Sequence, residues 1–364
     1  MEFRDKKFAE KIAKRIHSLA RNLGKIKLMH VCGTHEDTIT KYGLRSLLPK
    51  NIELVAGPGC PVCVTTAKEI DEAIELAKKG CIVTTFGDML KVPGSKTSLA
   101  EIKSLGYDVR VVYSPIDAIK LAKKNPKKEV CHIAIGFETT MPATAVSILE
   151  AMENFSVLSC HRFIPPGMDF LLASKDVNID GFINPGHVSS IIGVKPYRKL
   201  SKKYKVPQVI SGFEPIDVLL SIHILLEMIL AGDYGVENEY SRVVKANGNK
   251  KALKLISKIF KRADLRWRGF PTIPKSGAEL KSKFNDFNAR EKFELNAQDL
   301  EAQDSSKIKG CRCGDVLKGL IYPEECPLFG KVCKPSNPIG PCMVSYEGSC
   351  AIRYKYSTYH MENA

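Results

Sequence analysis

No stretch of the chain is apolar enough to cross a bilayer. The most apolar segment, 216–231, is interrupted by Asp217, His223 and Glu227 and is predicted as a buried helix. Nor does the chain open on a continuous apolar leader: Phe3, Phe8, Ile12, Ile16 and Leu19 recur at helical spacing among charges, so a cytoplasmic protein is expected. A Gly-x-x-x-x-Gly-Lys-Ser/Thr phosphate loop is missing, and any ATP hydrolysis is assigned to a partner. The Cys-x-x-x-Cys-x-x-Cys triad of radical chemistry is missing too.

What is present is cysteine, twelve in 364 residues. Six lie between Cys32 and Cys160, and six crowd between Cys311 and Cys350. In a leaderless chain of this length such crowding points to metal or redox chemistry rather than a disulfide framework. The tail lacks the Cys-x-x-Cys knuckles usual in structural zinc sites, and its wider spacings suit an iron-sulfur cluster better. Rich in Pro and Gly, it has little regular structure of its own, and a metal centre would replace the missing core.

Apolar or β-branched runs at 26–31, 52–55, 81–86 and 109–113 alternate with helical patterns, and a second series follows at 130–135, 156–160, 181–184 and 208–210. Alternating strand and helix predict parallel sheets. The expected fold is α/β, with an N-terminal helix (1–24), two similar parallel-sheet domains (25–125 and 126–248) facing across a cleft, and a mainly helical or irregular C-terminal domain (249–364). Thr66 and Glu69 are expected to cap a helix that Gly80 closes.

Ligands of such sheets bind beyond the carboxyl ends of the strands, so the polar turns there are the candidate site. Cys32-Gly33-Thr34-His35-Glu36 offers a thiol, an imidazole and a carboxylate at an expected exposed strand end. His35 is open to three readings: metal ligand, acid or base, or hydrogen-bonded loop residue. Cys60-Pro61-Val62-Cys63 has the spacing of a dithiol that closes into a disulfide, hence a two-electron store. Cys81, Cys131 and Cys160 fall in apolar runs and are read as core.

The net charge of +15 is local: residues 241–268 hold ten Lys or Arg against Asp264. Leu253, Ile256, Phe260 and Ala263 recur at helical spacing there. A solvated helix face is the first reading, an acidic partner the second and nucleic acid the third.

The turns CGTHE from Cys32, GPGCPVC from Gly57, GDMLKVPGS from Gly87, GFETT from Gly136, PGHVS from Pro185 and GFEP from Gly212, followed by the cysteine tail, resemble the HypD family of nickel-iron hydrogenase maturation factors. A monomeric core with transient partners is the default expectation, and the resemblance implies a scaffold, working with HypC, on which iron receives two cyanides and one carbon monoxide before passing to the hydrogenase large subunit. HypE would present the cyanide as a cysteine thiocyanate. It implies a four-iron four-sulfur cluster on Cys311, Cys326, Cys333 and Cys350, whose gaps of fourteen, six and sixteen residues match the family, and leaves Cys313 and Cys342 as spares. Iron would bind Cys32, with His35 and Glu36 close by. Cys60 and Cys63 would gather the electrons that release cyanide, and the cluster would reset their disulfide. Glu138, Thr139, His187 and Glu214, expected on the facing rim, would orient the incoming group or manage protons. Two rival readings are a general iron-sulfur-dependent dithiol/disulfide oxidoreductase and a metal-stabilised binding module.

Overall fold

The computed structural model describes residues 4–295 and 310–362. Phe3 of the predicted N-terminal helix and residues 296–309 of the predicted C-terminal domain lie outside the described residues. All eight predicted runs are strands: β1 (Ile26–His30), β2 (Ile52–Ala56), β3 (Ile82–Thr85), β4 (Val109–Val111), β5 (Val130–Gly136), β6 (Phe155–His161), β7 (Gly181–Pro185) and β8 (Gln208–Ser211). A ninth, β9 (Val236–Asn238), was not foreseen.

The strands form two parallel sheets, ordered β2-β1-β7-β8-β9 and β4-β3-β5-β6. The α/β class is therefore as expected, with the strands shared out differently from the ranges 25–125 and 126–248. β1 pairs with β7, Leu28 opposite Gly181, so the second sheet interrupts the first in the chain. The reason is packing at long range. Leu28, Leu54, Ile183 and Val209 bury one face of the first sheet under the helices Lys6–Ala20 and Pro215–Ala231. Met29, Val55, Phe182 and Ile210 point the other way, into a core shared with Val83, Cys131, Ile133 and Leu158 of the second sheet. Alternation along each strand thus fastens the two sheets together. Among the described residues no helix is long and apolar enough to cross a membrane, and segment 216–231 lies in the buried helix predicted for it.

Residues 249–295 do not join the tail. The helix Lys250–Ile259 and an unforeseen antiparallel hairpin, β10 (Phe260–Arg266) and β11 (Thr272–Leu280), cover the outer face of the second sheet. Ile256, Ile259, Phe260, Ala278 and Leu280 pack there on Val130, Phe155 and Val157. The helix stops at Ile259 because Phe260 turns to extended geometry and pairs with Leu280, so Phe260 and Ala263 leave the expected helical stripe. The tail forms short helices, Cys313–Leu317, Pro341–Val344 and Ser349–Glu362, joined by turns. The helix Ala67–Lys78 has its Thr66/Glu69 capping box, and Gly80 follows it at φ +89°.

Candidate functional site

In the first sheet the chain runs outward from β1 to β2 and later from β7 to β9, so the order reverses between β1 and β7. Such a switch point leaves a crevice beyond the strand ends. Cys32 follows β1 and His187 follows β7.

Cys32 takes an extended conformation as N-cap of the helix Gly33–Lys41. His30 meets its carbonyl through Nδ1 (3.2 Å) and the Glu36 carboxylate through Nε2 (2.7 Å). Arg45 donates to both Glu36 oxygens, at 3.0 and 2.6 Å, and Thr40 donates at 2.8 Å. Burial works to raise the Glu36 pKa, but the Arg45 charge and the His30 contact hold it well below the usual carboxylate range. Glu36 is therefore a buried brace of the turn, with its oxygens engaged.

Cys32 itself is buried, not exposed as expected, because the tail folds over it. A Cβ on Gly33 would fall 2.4 Å from the Glu347 carbonyl, so only glycine admits this contact. Burial, followed by the Glu347 carboxylate, pushes the Cys32 thiol up to about 11, against the pull of the Thr34 and His35 amides. At neutral pH it is a protonated thiol whose proton a soft cation would displace.

His35 Nε2 donates to the Gly212 carbonyl at 2.9 Å, a tautomer assigned from the acceptor it faces. Its Nδ1 is buried without a partner. Burial, followed by His30, lowers its pKa to about 3, so the ring is neutral with a free lone pair. Phe213 lies against His35 (centroids 5.0 Å) and stacks on exposed His187 at 3.9 Å. The imidazoles and the thiol thus share one sheet edge instead of facing each other from two domains.

The other rim candidates separate. Glu214 starts the helix Pro215–Ala231 and pairs with Arg4 at 2.6 Å, a structural engagement. Thr139 is exposed at the end of the second sheet. Glu138 there is buried, accepts from the Ile164 amide at 3.3 Å, and is raised to about 7 by burial. Tyr197, fully buried, accepts from Ser189 at 3.1 Å and lies within electrostatic reach of both Glu138 and Cys32, which add to the upward push that burial gives its pKa.

Cys60 and Cys63 form a buried disulfide across the start of the short helix Pro61–Val64. A Cβ on Gly59 would fall 2.3 Å from the Cys32 amide nitrogen, so glycine lets the two cysteine turns touch. The helix Pro341–Val344, which carries Cys342, packs on Pro61–Val64. Cys81, Cys131 and Cys160 are buried, as expected for core thiols.

The tail thiols converge. Cys311 and Cys313 sulfurs are 3.4 Å apart, and Cys313, Cys342 and Cys350 interact with one another. Cys333 accepts from the Ile339 amide at 3.4 Å and lies within electrostatic reach of Cys311 and Cys326. The sulfurs are gathered without being set out as ligands: among the described residues no three or more Cys, His, Asp or Glu stand ready to hold a metal ion. Arg268, buried at the hairpin turn, donates to the Pro93 carbonyl at 2.6 Å and feels Cys313, Cys342 and Cys311. Its Nε has no partner, an orphaned buried donor that an anionic cysteine centre would satisfy. Soft donors beside a buried guanidinium fit an iron-sulfur group.

His30, Arg45, Tyr197, Phe213 and Arg268 were not picked from the sequence. His30 had a usable signal, lying at the end of a predicted strand two residues before Cys32. The others reach the site from 13 to 236 residues away.

Fold and site together define a cysteine-rich α/β protein with thiols, a neutral imidazole and a closed dithiol at one sheet edge. A family model, HypD, described as "Hydrogenase formation hypA family", matches residues 7–357. The chain is 50% identical over 356 residues to a protein of Methanocaldococcus jannaschii named for hydrogenase expression/formation, covering 97% of this chain and 98% of that one. It is 42% identical over 371 residues to hydrogenase maturation factor HypD of Cupriavidus necator (98% and 97% covered). Against HypD of Azotobacter vinelandii the identity is 43% over 367 residues (98% and 96% covered). The chain belongs to the HypD family of hydrogenase maturation factors.

Proposed function

We propose that the chain is the scaffold on which, with HypC, an iron ion gains two cyanides and one carbon monoxide for nickel-iron hydrogenase. The observation that carries this reading is the company of Cys32: a buried thiol beside a neutral imidazole with a free nitrogen, touching a dithiol turn. Cys32 gives up its proton to bind the cargo iron, together with a HypC thiol. His35 Nδ1, aimed by the Nε2 bond to Gly212, is the nearby neutral donor, and Glu36 with His30 and Arg45 fixes the turn. His187, on the exposed side of Phe213, meets the incoming group.

HypE is proposed to deliver cyanide as a thiocyanate, R–S–CN. With Cys60 and Cys63 reduced, the S–CN bond breaks and the Cys60–Cys63 bond forms. Two electrons and two protons pass from the dithiol, leaving R–SH and hydrogen cyanide. Cys311, Cys326, Cys333 and Cys350 would hold a four-iron four-sulfur group, which supplies single electrons when bound. Arg268 balances charge beside Cys311, Cys313 and Cys342, and the Cys342 helix brings the tail against the disulfide. A general dithiol/disulfide oxidoreductase is the second reading, favoured by that same contact; it leaves Cys32 and His35 without a task.

The test is an infrared spectrum of the anaerobic complex with HypC, in the region of metal-bound cyanide and carbon monoxide, beside a Cys32→Ala control. Bands in the native complex and none in the control are expected. Loaded native complex without bands would move the oxidoreductase to first place.

A further inference from the structure

Away from Cys32, a cleft of about 790 Å³ opens between the helix Lys195–Tyr204, the helix Lys250–Ile259 and the end of β5. Lys195, Lys250, Arg262 and Lys281 line it, and Glu138, at the end of β5, is the one acid among its lining residues. Phe163, Ile192, Leu253 and Phe260 give it apolar wall. We propose that this cleft is a binding site for a small organic phosphate, a molecule with an apolar body and a multiply charged phosphate end.

The first argument is unmatched charge. Two surface cations nearby are paired, Lys203 with Asp169 and Lys261 with Glu279, while Lys251, Lys254 and Lys258 are spread over the exposed face of the helix, outside the cleft lining. Among the described residues no carboxylate is in ion-pair contact with any of the four lining cations. Two of them are nevertheless held in place. Arg262 lies over the Phe163 ring at 4.1 Å and donates to the Lys275 carbonyl, and Lys281 donates to the Ser257 carbonyl. A guanidinium fixed in this way presents its remaining donors to a planar or tetrahedral anion. Several cations at one cleft favour a phosphate over a single carboxylate.

The second argument is shape. The volume falls in the range of roughly 300–1,000 Å³ common to small-molecule sites, and apolar wall between cations suits a ring or chain carrying the charge. A solvated basic face, the first reading of this segment in the sequence, needs neither concavity nor apolar lining.

The third is Glu138. It faces Arg262 from β10, Tyr197 from the helix Lys195–Tyr204, and the Ile164 amide from the helix Ile164–Ala173. Burial keeps its carboxyl protonated up to about pH 7, when it can donate a hydrogen bond to a bound oxyanion. Above that pH its charge repels the ligand.

Calorimetric titration of the full chain with phenyl phosphate and with inorganic phosphate tests the site. Phenyl phosphate should bind at least about tenfold tighter than inorganic phosphate, and the double variant Lys250→Ala/Arg262→Ala should lose about tenfold or more. Glu138→Gln, which keeps a donor and cannot ionise, should match the native chain at pH 6 and bind more tightly than it at pH 8. Equal affinity for the two phosphates, or affinity untouched by the double variant, overturns the proposal. Saturable binding of a polyglutamate peptide without binding of phenyl phosphate overturns it too, assigning the cleft to an acidic protein segment. A Glu138→Gln chain indistinguishable from the native one at pH 8 removes Glu138 from the site.

Discussion

At the switch point of the first sheet, a rigid frame of His30, Glu36 and Arg45 holds two groups that it does not engage, the Cys32 sulfur and His35 Nδ1. At the edge of the second sheet the buried polar groups close on one another in an ion pair, which leaves Arg162 Nε and Glu69 Oε1, the unused atoms of that pair, without partners. Arg162, fully buried, donates to Glu69 at 2.6 Å and to the Cys160 carbonyl at 2.7 Å, and His161 Nε2 meets Thr144 at 2.9 Å. Two sheets of one architecture thus treat their carboxyl ends differently. At the first the unengaged atoms belong to a thiol and a neutral imidazole, and at the second those of Arg162 and Glu69 belong to two charges already paired with each other.

The sharpest way to break this contrast is to remove the frame. Arg45→Ala leaves the Glu36 carboxylate buried with His30 and Thr40 as its partners and no fixed charge beside it, and denaturant unfolding should show a loss of about 3 kcal/mol. Because the folded pKa of Glu36 is depressed, its contribution is present above the usual carboxylate pKa and is lost as pH falls through the lower folded value. The variant should therefore show a shallower acid-side loss of stability than the native chain. An Arg45→Ala chain with native stability and native acid response would show that the turn stands without its frame.

Glu138 has the opposite sign. Its folded pKa is raised to about 7, so folding is penalised progressively as pH rises from the usual carboxylate pKa to that value, and constantly above it. Glu138→Gln should remove that slope, a difference of about 3 kcal/mol between pH 4 and pH 8. Unfolding curves at the two pH values measure it; equal slopes in native chain and variant would place the Glu138 carboxylate in water.

The smallest effect is expected at Phe213→Ala. Loss of its stacking between His35 and His187 should cost about 1 kcal/mol beyond the lost burial. It should also loosen the His187 ring, visible as a change in that residue's imidazole resonances. Unchanged resonances would mean that the stack does not position His187.

The strands were legible because each buried run is short, apolar and bounded by turn residues, and the Thr66/Glu69 cap was legible because both partners lie within one helical turn. Strand partnership was not: nothing local in Leu28 or Met29 says that β7, some 150 residues on, is the neighbour. The hairpin β10–β11 hid inside a helical stripe, since Phe260 suits a helix by spacing and a strand by chemistry. At the candidate site, Cys32, His35 and the dithiol stand out by residue type and position, and the structure brings their turns together. The burial of Cys32 was missed because its cover, Glu347, arrives from the far end of the chain. Glu214 was grouped with the site by motif, while Arg4 claims its carboxylate.

The interruption of the first sheet by the second has a consequence for biosynthesis. On a ribosome, β1, β2 and both cysteine turns emerge early, but the sheet that places them waits for β7 to β9, and the cover over Cys32 waits for Glu347. The thiol, the His187–Phe213 stack and the tail sulfurs therefore come together only after the segment from Cys311 to Cys350 has been made. A polypeptide that stops before β7 would display the Cys32 and Cys60/Cys63 turns without the crevice between β1 and β7, so the order of synthesis sets when these turns can be brought together.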